Sequence, residues 1–425
     1  MKKIFLMLLI INGLFASEAL FFINSISSTI SRYDIESEET DDDFAILGNG
    51  PGVAPNKMIQ YNGKLYVAIT YENRIQVFDI ETGEETGSIV LENSSTPNDI
   101  ILYQNFAFVS GNVTDKVYKI DLIAEEVLAS QATGTAPMGM AVYDNKLYVA
   151  NCGYVFSEGS YVPGSVSVLN CDDLSVLTAV ETDLNSNALA VINDKIHVVC
   201  TGDYMDITGK INVINPITDE IEEVYEIGGC PNSIIFDGNE TVYLGNGWPA
   251  GVYSYNADNG NLITTPDSGI FVGGNAFEIF SGKLVSADAG NYIDFTDIYI
   301  YDLESQNLIA DFNVGVGVTD ILYCSGQTSD NEEDVTEAVN SAKVFPNPYN
   351  NNQRYELKVK FAPENYSHSV CWSVFNIKGQ NKLNGKQQAV NGEISLPAKK
   401  LENGVYFVKI TGQKINSTAK FMIVK

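Results

Sequence analysis

Short apolar segments recur along most of the chain, separated by Gly, Asn, Asp and Pro, and their spacing is that of strands rather than helices. The clearest unit occupies residues 55–91. Residues 55–61 form a first apolar segment, Asn62-Gly63 a turn, residues 65–69 (LYVAI) a second segment and residues 74–79 (RIQVFD) a third; after Thr82-Gly83 comes a fourth at 88–91. This predicts four short antiparallel strands, a to d, with glycine supplying the positive φ that tight hairpins require. Related units begin near Pro97, Pro137, Asn187, Pro231 and Asn275, at a period of about 40 to 50 residues, which is the period of propeller blades.

Six complete units leave a remainder at each end. Residues 318–323 (VTDILY) repeat strand a with nothing after them that resembles b, c or d. Residues 19–25, 28–37 and 43–50 repeat b, c and d with no a before them. The sequence therefore predicts an all-β protein, a seven-bladed β-propeller whose last blade combines three strands from the amino end with one from the carboxyl end. Such closure leaves no free sheet edge. A six-bladed ring with stray strands is the alternative.

Beyond the repeats, residues 325–340 are polar and acidic and read as a linker. Alternating segments at 355–361, 370–380, 393–398, 404–410 and 419–425 describe a small antiparallel β-sandwich over 341–425. The chain opens with Met1-Lys2-Lys3, an apolar run over 4–15 and small residues near Ala16, Ser17 and Ala19, which reads as a secretory signal peptide over 1–19. The propeller is then expected over 20–324. No other run approaches the length of a membrane-spanning helix, so no transmembrane segment is expected in the mature chain.

The repeats resemble the YVTN family of β-propellers, the YncE-like or surface-layer type, through KLYVA at 64–68 and 146–150 and VFDIETG at 77–83. Fold is what this resemblance implies; propellers host many unrelated activities. The last domain resembles the type A sorting domain of type IX secretion, the Por secretion tail. The matching residues are Val344-Phe345-Pro346-Asn347-Pro348, the segment at 375–380 that contains Gly379, and the segment at 401–410 that contains Gly404 and Tyr406. The resemblance implies export in two steps, with the type IX machinery as a partner of residues 341–425 and a destination outside the cell or on its surface.

Charge divides the chain at the same boundary. Residues 1–340 carry 12 Lys and Arg against 50 Asp and Glu, whereas residues 341–425 carry 13 against 4. So acidic a propeller repels phosphate backbones, and nucleic acid is not an expected partner. The six cysteines lack metal-binding spacing and are expected to be mostly buried thiols.

Catalytic motifs are missing. Only His197, within a b strand, and His368 supply imidazoles, and no nucleophile elbow, zinc-binding helix, Walker loop or calcium-loop spacing occurs. No catalytic residue, metal or cofactor is therefore assigned. Asp41-Asp42-Asp43 is read as a solvated c-to-d turn. Asp79, Asp121 and Asp302 recur at strand ends, where they are expected to cap turns.

Two groups of residues stand out as binding candidates. Asn56, Asn98, Asn187, Asn232 and Asn275 open five of the seven a strands and would gather at one mouth of the channel, either to bind a polar ligand or to cap the d-to-a turns and tie blades together. The b-to-c loops lie at the same end and bring Tyr154, Phe156, Tyr161, Tyr204, Trp248, Tyr292 and Phe295 to it, with Glu158, Asp203, Asp206 and Asp294 nearby, either to bind a ligand or to pack on one another as covers. The expected function is non-catalytic recognition of an extracellular glycan, peptide or protein. A structural surface-layer role, or a polysaccharide lyase or hydrolase using carboxylates at the mouth, is the alternative.

Overall fold

The computed structural model describes residues 18–50, 52–247, 250–325, 343–345, 349–350, 357–361, 369–376, 381–412 and 415–424. The leader, most of the linker, Trp248, Pro346, Asn347, Pro348, His368 and Gly379 lie outside the described residues. Two compact units divide at Asn331 and Glu332.

Among the described residues, the first unit contains seven four-stranded antiparallel sheets. Sheet 1 has strands a to d at Pro55–Tyr61, Lys64–Ile69, Arg74–Asp79 and Glu85–Val90. The a strands of sheets 2 to 6 are Pro97–Tyr103, Pro137–Tyr143, Ser186–Ile192, Pro231–Phe236 and Ala276–Phe280. Sheet 7 joins the two ends of the unit: Val318–Cys324 pairs with Ala19–Asn24, followed outward by Thr29–Asp34 and Thr40–Ile46. Its b strand begins at Ala19 as expected, and Ala19, the last residue of the stretch read as a leader, is paired with both Asp34 and Cys324.

Packing explains why the b strands read as unbroken apolar runs. Each is buried on both faces, so neither face needs polar residues. Leu65 and Val67 pack toward sheet 7, against Phe21 and Ile23, while Tyr66 and Ala68 pack toward sheet 2, against Ile100 and Val109. Six apolar clusters of this kind join consecutive sheets from 1 to 7, and the cluster at Phe21 joins sheet 7 back to sheet 1. The succession of junctions returns to its start, giving a propeller-like arrangement.

Turn chemistry follows the sequence closely. Asn62 (φ 47°) and Gly63 (φ 72°) are both left-handed, as a two-residue hairpin of matching twist demands. Asp79 Oδ1 accepts from Glu81 N and Thr82 N, and Asp121 and Asp302 serve the corresponding turns. Partial burial works against the Asp79 charge, yet these donors hold its carboxyl below the ordinary value. Gly83 (φ 69°) is required on a second count, because a Cβ there would lie 2.0 Å from Phe44 O in the adjoining sheet.

Asp41, Asp42 and Asp43 depart from expectation. They lie within the outermost strand Thr40–Ile46, not on a turn. An outer strand exposed on its face tolerates a run of carboxylates that an inner strand would not. Among the described residues no three His, Cys, Asp or Glu side chains converge as a metal site.

The second unit is a β-sandwich. A three-stranded sheet (Lys343–Phe345, Leu357–Lys360, Glu393–Leu396) faces a five-stranded one containing Ser369–Asn376, Asn381–Gln388, Gly404–Gly412 and Ile415–Val424. Leu357, Val359, Trp372, Val408 and Phe421 form its core. The pairing is not wholly antiparallel: Tyr349–Asn350 adds to Ile423 and Val424 in parallel. Tyr406 is buried, stacks near Phe421 and donates to Glu402 O, which gives the Gly404–Tyr406 segment a structural role.

Candidate functional site

The starts of the a strands and the b-to-c loops share one end of each sheet, because a and b pair antiparallel: Pro55 opposes Ile69, Pro97 opposes Gly111 and Ser186 opposes Cys200. Hydrogen bonds carry this end from sheet to sheet. Thr70 Oγ1 donates to Pro97 O (2.7 Å), Asn112 Nδ2 to Pro137 O (3.3 Å), Thr201 Oγ1 to Pro231 O (2.6 Å) and Thr319 Oγ1 to Pro55 O (3.1 Å).

The asparagines stand at the starts of the a strands, and Asn56, Asn98, Asn232 and Asn275 use their amides within the protein. Asn56 Nδ2 donates to Thr70 Oγ1 (2.8 Å) and to Asn98 Oδ1 (3.4 Å), linking sheets 1 and 2. Asn275 Nδ2 donates to Tyr292 OH (2.8 Å), and Asn275 Oδ1 accepts from Ala289 N (3.0 Å), which fastens the b-to-c loop of sheet 6. Asn232 Oδ1 accepts from Ser233 Oγ (3.3 Å). Asn187 is partly buried at the corresponding position of sheet 4. This usage favours tying over ligand capture, since an amide already engaged offers less to a ligand.

The loops above display apolar surface. In sheet 3, Tyr154-Val155 and Ser160-Tyr161 form a small hairpin, with Tyr154 edge-on to both Phe156 and Tyr161 at 5.1 Å. Asn185 Nδ2 donates to Tyr161 OH (3.4 Å), joining this hairpin to sheet 4. In sheet 4, Asp203 Oδ1 accepts from Met205 N and Ile207 N and holds the loop that exposes Tyr204, Met205 and Ile207. Tyr204 (φ 62°) and Tyr292 (φ 59°) both sit in left-handed backbone, which costs a bulky residue on the order of 1–2 kcal/mol. Both rings are nonetheless exposed.

Sequence reasoning found the aromatics but missed their aliphatic neighbours. Every described b-to-c loop exposes a large apolar side chain: Ile26 in sheet 7, Tyr71 in sheet 1, Val113 in sheet 2, Phe156 and Val162 in sheet 3, Met205 in sheet 4, Ile293 and Phe295 in sheet 6. Met205 is 86% exposed and Ile293 77%. None of these loops, nor any d-to-a loop at the same end, contains Lys or Arg. The bases that flank them at the start of strand c are each neutralised: Arg74 by Glu72 and Glu85, Lys116 by Glu92, Lys210 by Asp183 and Glu226.

Just below the asparagines lies a second group that sequence reasoning missed. Lys57 Nζ meets Asp320 Oδ1 at 2.5 Å, across the junction of sheets 1 and 7, while Asp320 Oδ2 accepts from Met58 N (2.9 Å). Asp99 Oδ2 accepts from Met140 N (2.9 Å), tying sheet 2 to sheet 3. The Lys57 side chain keeps 45% of its accessible surface, whereas that of Asp320 keeps only 5%. Burial opposes its charge, but Asp320, Asp99 and Glu278 together hold its pKa above the usual lysine value. Burial pushes the Asp99 carboxyl up to about 6 and that of Glu278 up to about 7. Comparing the repeats at the third residue of strand a would have exposed Lys57, Asp99 and Asp320, which occupy equivalent positions.

His197 is a core residue. Its Nδ1 lies 2.7 Å from Tyr255 OH, and burial drives its pKa down to about 4. Cys152, Cys171 and Cys200 are buried thiols, and burial pushes the last two up to about 12.

Comparison with known proteins separates the two units. Residues 343–425 match the family model described as the secretion system C-terminal sorting domain. This supports type IX secretion-dependent export, to the cell surface or beyond it. No curated protein matches the chain. Among solved structures, it is similar to the hydrazine synthase of Kuenenia stuttgartiensis at 13% identity and a TM-score of 0.50, over 63% of this chain and 88% of that one. It is also similar to the computationally designed Ika8 protein at 15% identity and a TM-score of 0.51, over 73% of this chain and 91% of that one. At such identities the likeness concerns fold alone.

Proposed function

We propose that this is an exported recognition protein without catalytic activity: a seven-bladed, YVTN-like propeller closed by its first and last strands and delivered by its sorting domain. The loop end is its binding face. One observation carries the reading. Exposed apolar side chains occur in every described b-to-c loop, some of them held by local bonds such as Asn275 Nδ2 to Tyr292 OH and Met205 N to Asp203 Oδ1, although burying them would help folding more than displaying them. The carboxylates nearest the mouth favour a structural part for themselves, since Asp320 and Asp99 each accept backbone N–H groups of the neighbouring sheet.

Two measurements test this. Removing residues 343–425 should leave the chain inside the outer membrane, read by fractionation; unchanged surface delivery would defeat the export half. Full-length protein carrying Tyr204→Ala and Tyr292→Ala should lose affinity, by about tenfold, for whichever defined glycan or peptide the unaltered chain binds in an immobilised panel. Equal binding by both proteins would remove the loop end as the binding face.

A further inference from the structure

We infer that the loop end docks a cationic polypeptide segment, one that alternates lysine or arginine with apolar side chains. The inference rests on the recognition reading and narrows its ligand class.

Three observations select a peptide over a sugar. Much of the exposed apolar surface is aliphatic or thioether, notably Met205, Ile207 and Ile293, and such groups pack against other apolar side chains rather than stacking on the faces of sugar rings. The aromatic rings of sheet 3 are turned edge-on to one another, with Tyr154 and Phe156 at 90°, so they do not form a row of parallel platforms. The asparagines Asn56 and Asn275, the natural partners of sugar hydroxyls at this mouth, are bonded to Thr70, Asn98, Tyr292 and Ala289.

Charge then fixes the sign of the partner. The loops at this end carry Glu158, Asp203, Asp206 and Asp294 and no base, and the flanking Arg74, Lys116 and Lys210 are cancelled by their own carboxylates. Residues 1–340 hold 12 bases against 50 acids, so the field above the loops is negative with no positive patch to interrupt it. A neutral glycan gains nothing from that field. A cationic chain is steered by it and then buries its apolar side chains against the loops.

The test uses full-length protein and three labelled synthetic peptides, alternating Lys with Leu, Lys with Ser, and Glu with Leu, together with cellohexaose as a neutral glycan. Fluorescence anisotropy for the peptides and calorimetry for the glycan give the affinities. The Lys/Leu peptide should bind at least about tenfold more tightly than either other peptide. The double variant Met205→Ser, Ile293→Ser should weaken it by about tenfold, whereas Ile123→Ser, Ile217→Ser, exposed at the opposite end of the sheets, should leave it within about twofold. Unchanged thermal melting of both variants keeps the comparison free of misfolding. Equal binding of the Lys/Ser and Lys/Leu peptides, or equal losses in both variants, would reduce the effect to diffuse attraction and overturn the inference. Binding of cellohexaose that depends on Met205 and Ile293, without peptide binding, would overturn the peptide class while leaving the recognition face standing. No dependence of any probe on the loop end would overturn both.

Discussion

The loop end and the charged wall beneath it lie within a few residues of each other in the a strands of sheets 1, 2 and 7, and their chemistry is opposed. On the wall, charge is enclosed and answered: Lys57 by Asp320, Asp320 by Met58 N, Asp99 by Met140 N. On the loops, apolar groups are exposed and unanswered, as at Met205 and Ile293. At these positions, unlike in the apolar junctions between sheets, charge lies inward and hydrophobes lie outward. The enclosed ions span the junctions of sheets 7 with 1 and 2 with 3, so they hold the sheets in register. The exposed hydrophobes of the loops lie away from these junctions, and under the proposed recognition role they are the surface offered to a partner.

The sharpest way to break the contrast is to unpair the wall. Lys57→Met would leave Asp320, Asp99 and Glu278 facing one another without a cation. Removing one partner of a fully buried pair costs about 3–5 kcal/mol; because Lys57 keeps 45% of its side-chain surface, about 2–3 kcal/mol is expected here. Urea denaturation of the full chain would measure it. A loss below about 0.5 kcal/mol would mean that the ion pair adds little to the junction of sheets 1 and 7.

A smaller effect, with a definite sign in pH, follows from Glu278. Its folded pKa of about 7 lies above the ordinary carboxyl value, chiefly through burial, so the folded state binds its proton more tightly than the unfolded chain does. The stability this provides is complete below about pH 4 and is lost as pH rises through about 7. Glu278→Gln cannot ionise, and its amide oxygen can still accept from Ile279 N, as Oε1 does in the native chain. The variant should therefore match the native protein near pH 4 and exceed it by about 1–3 kcal/mol at pH 8. Denaturant melts at the two pH values give the comparison, and a gain of the same size at both would show that the charge is not responsible.

What the sequence disclosed divides along the same line. Strands buried on both faces announce themselves, since runs such as residues 64–69 have no polar face to interrupt them. The complementary remainders at 19–50 and 318–323 disclosed the 3+1 pairing of the seventh sheet for a similar reason, each lacking what the other supplies. The charged group stayed hidden because an isolated Lys or Asp in an apolar strand reads as a solvated edge, and its partners lie in other sheets: Lys57 and Met58 of sheet 1 meet Asp320 of sheet 7, 263 and 262 residues away in the chain. The loop end was half legible. Tyr204 and Tyr292 stand out by type, whereas Ile26, Met205 and Ile293 belong to types that normally enter the core. The Asp41–Asp43 run misled because clustered carboxylates suggest a turn, while an outer strand can carry them extended.

The smallest expected effect is the one that decides what the loops are for. If they were covers packed over the sheets, Met205→Ser with Ile293→Ser would strip apolar contact from the fold and destabilise it in proportion to the area buried, at roughly 25 cal/mol per Å². With 86% and 77% of their surfaces already in water, almost no such area exists to lose. The double variant should therefore unfold within about 0.5 kcal/mol of the native chain, by the same urea measurement applied to Lys57→Met. A loss approaching that of Lys57→Met would place these side chains in the folding balance after all, and the contrast between an inner wall that holds the sheets together and an outer surface kept for a partner would fail at its outer half.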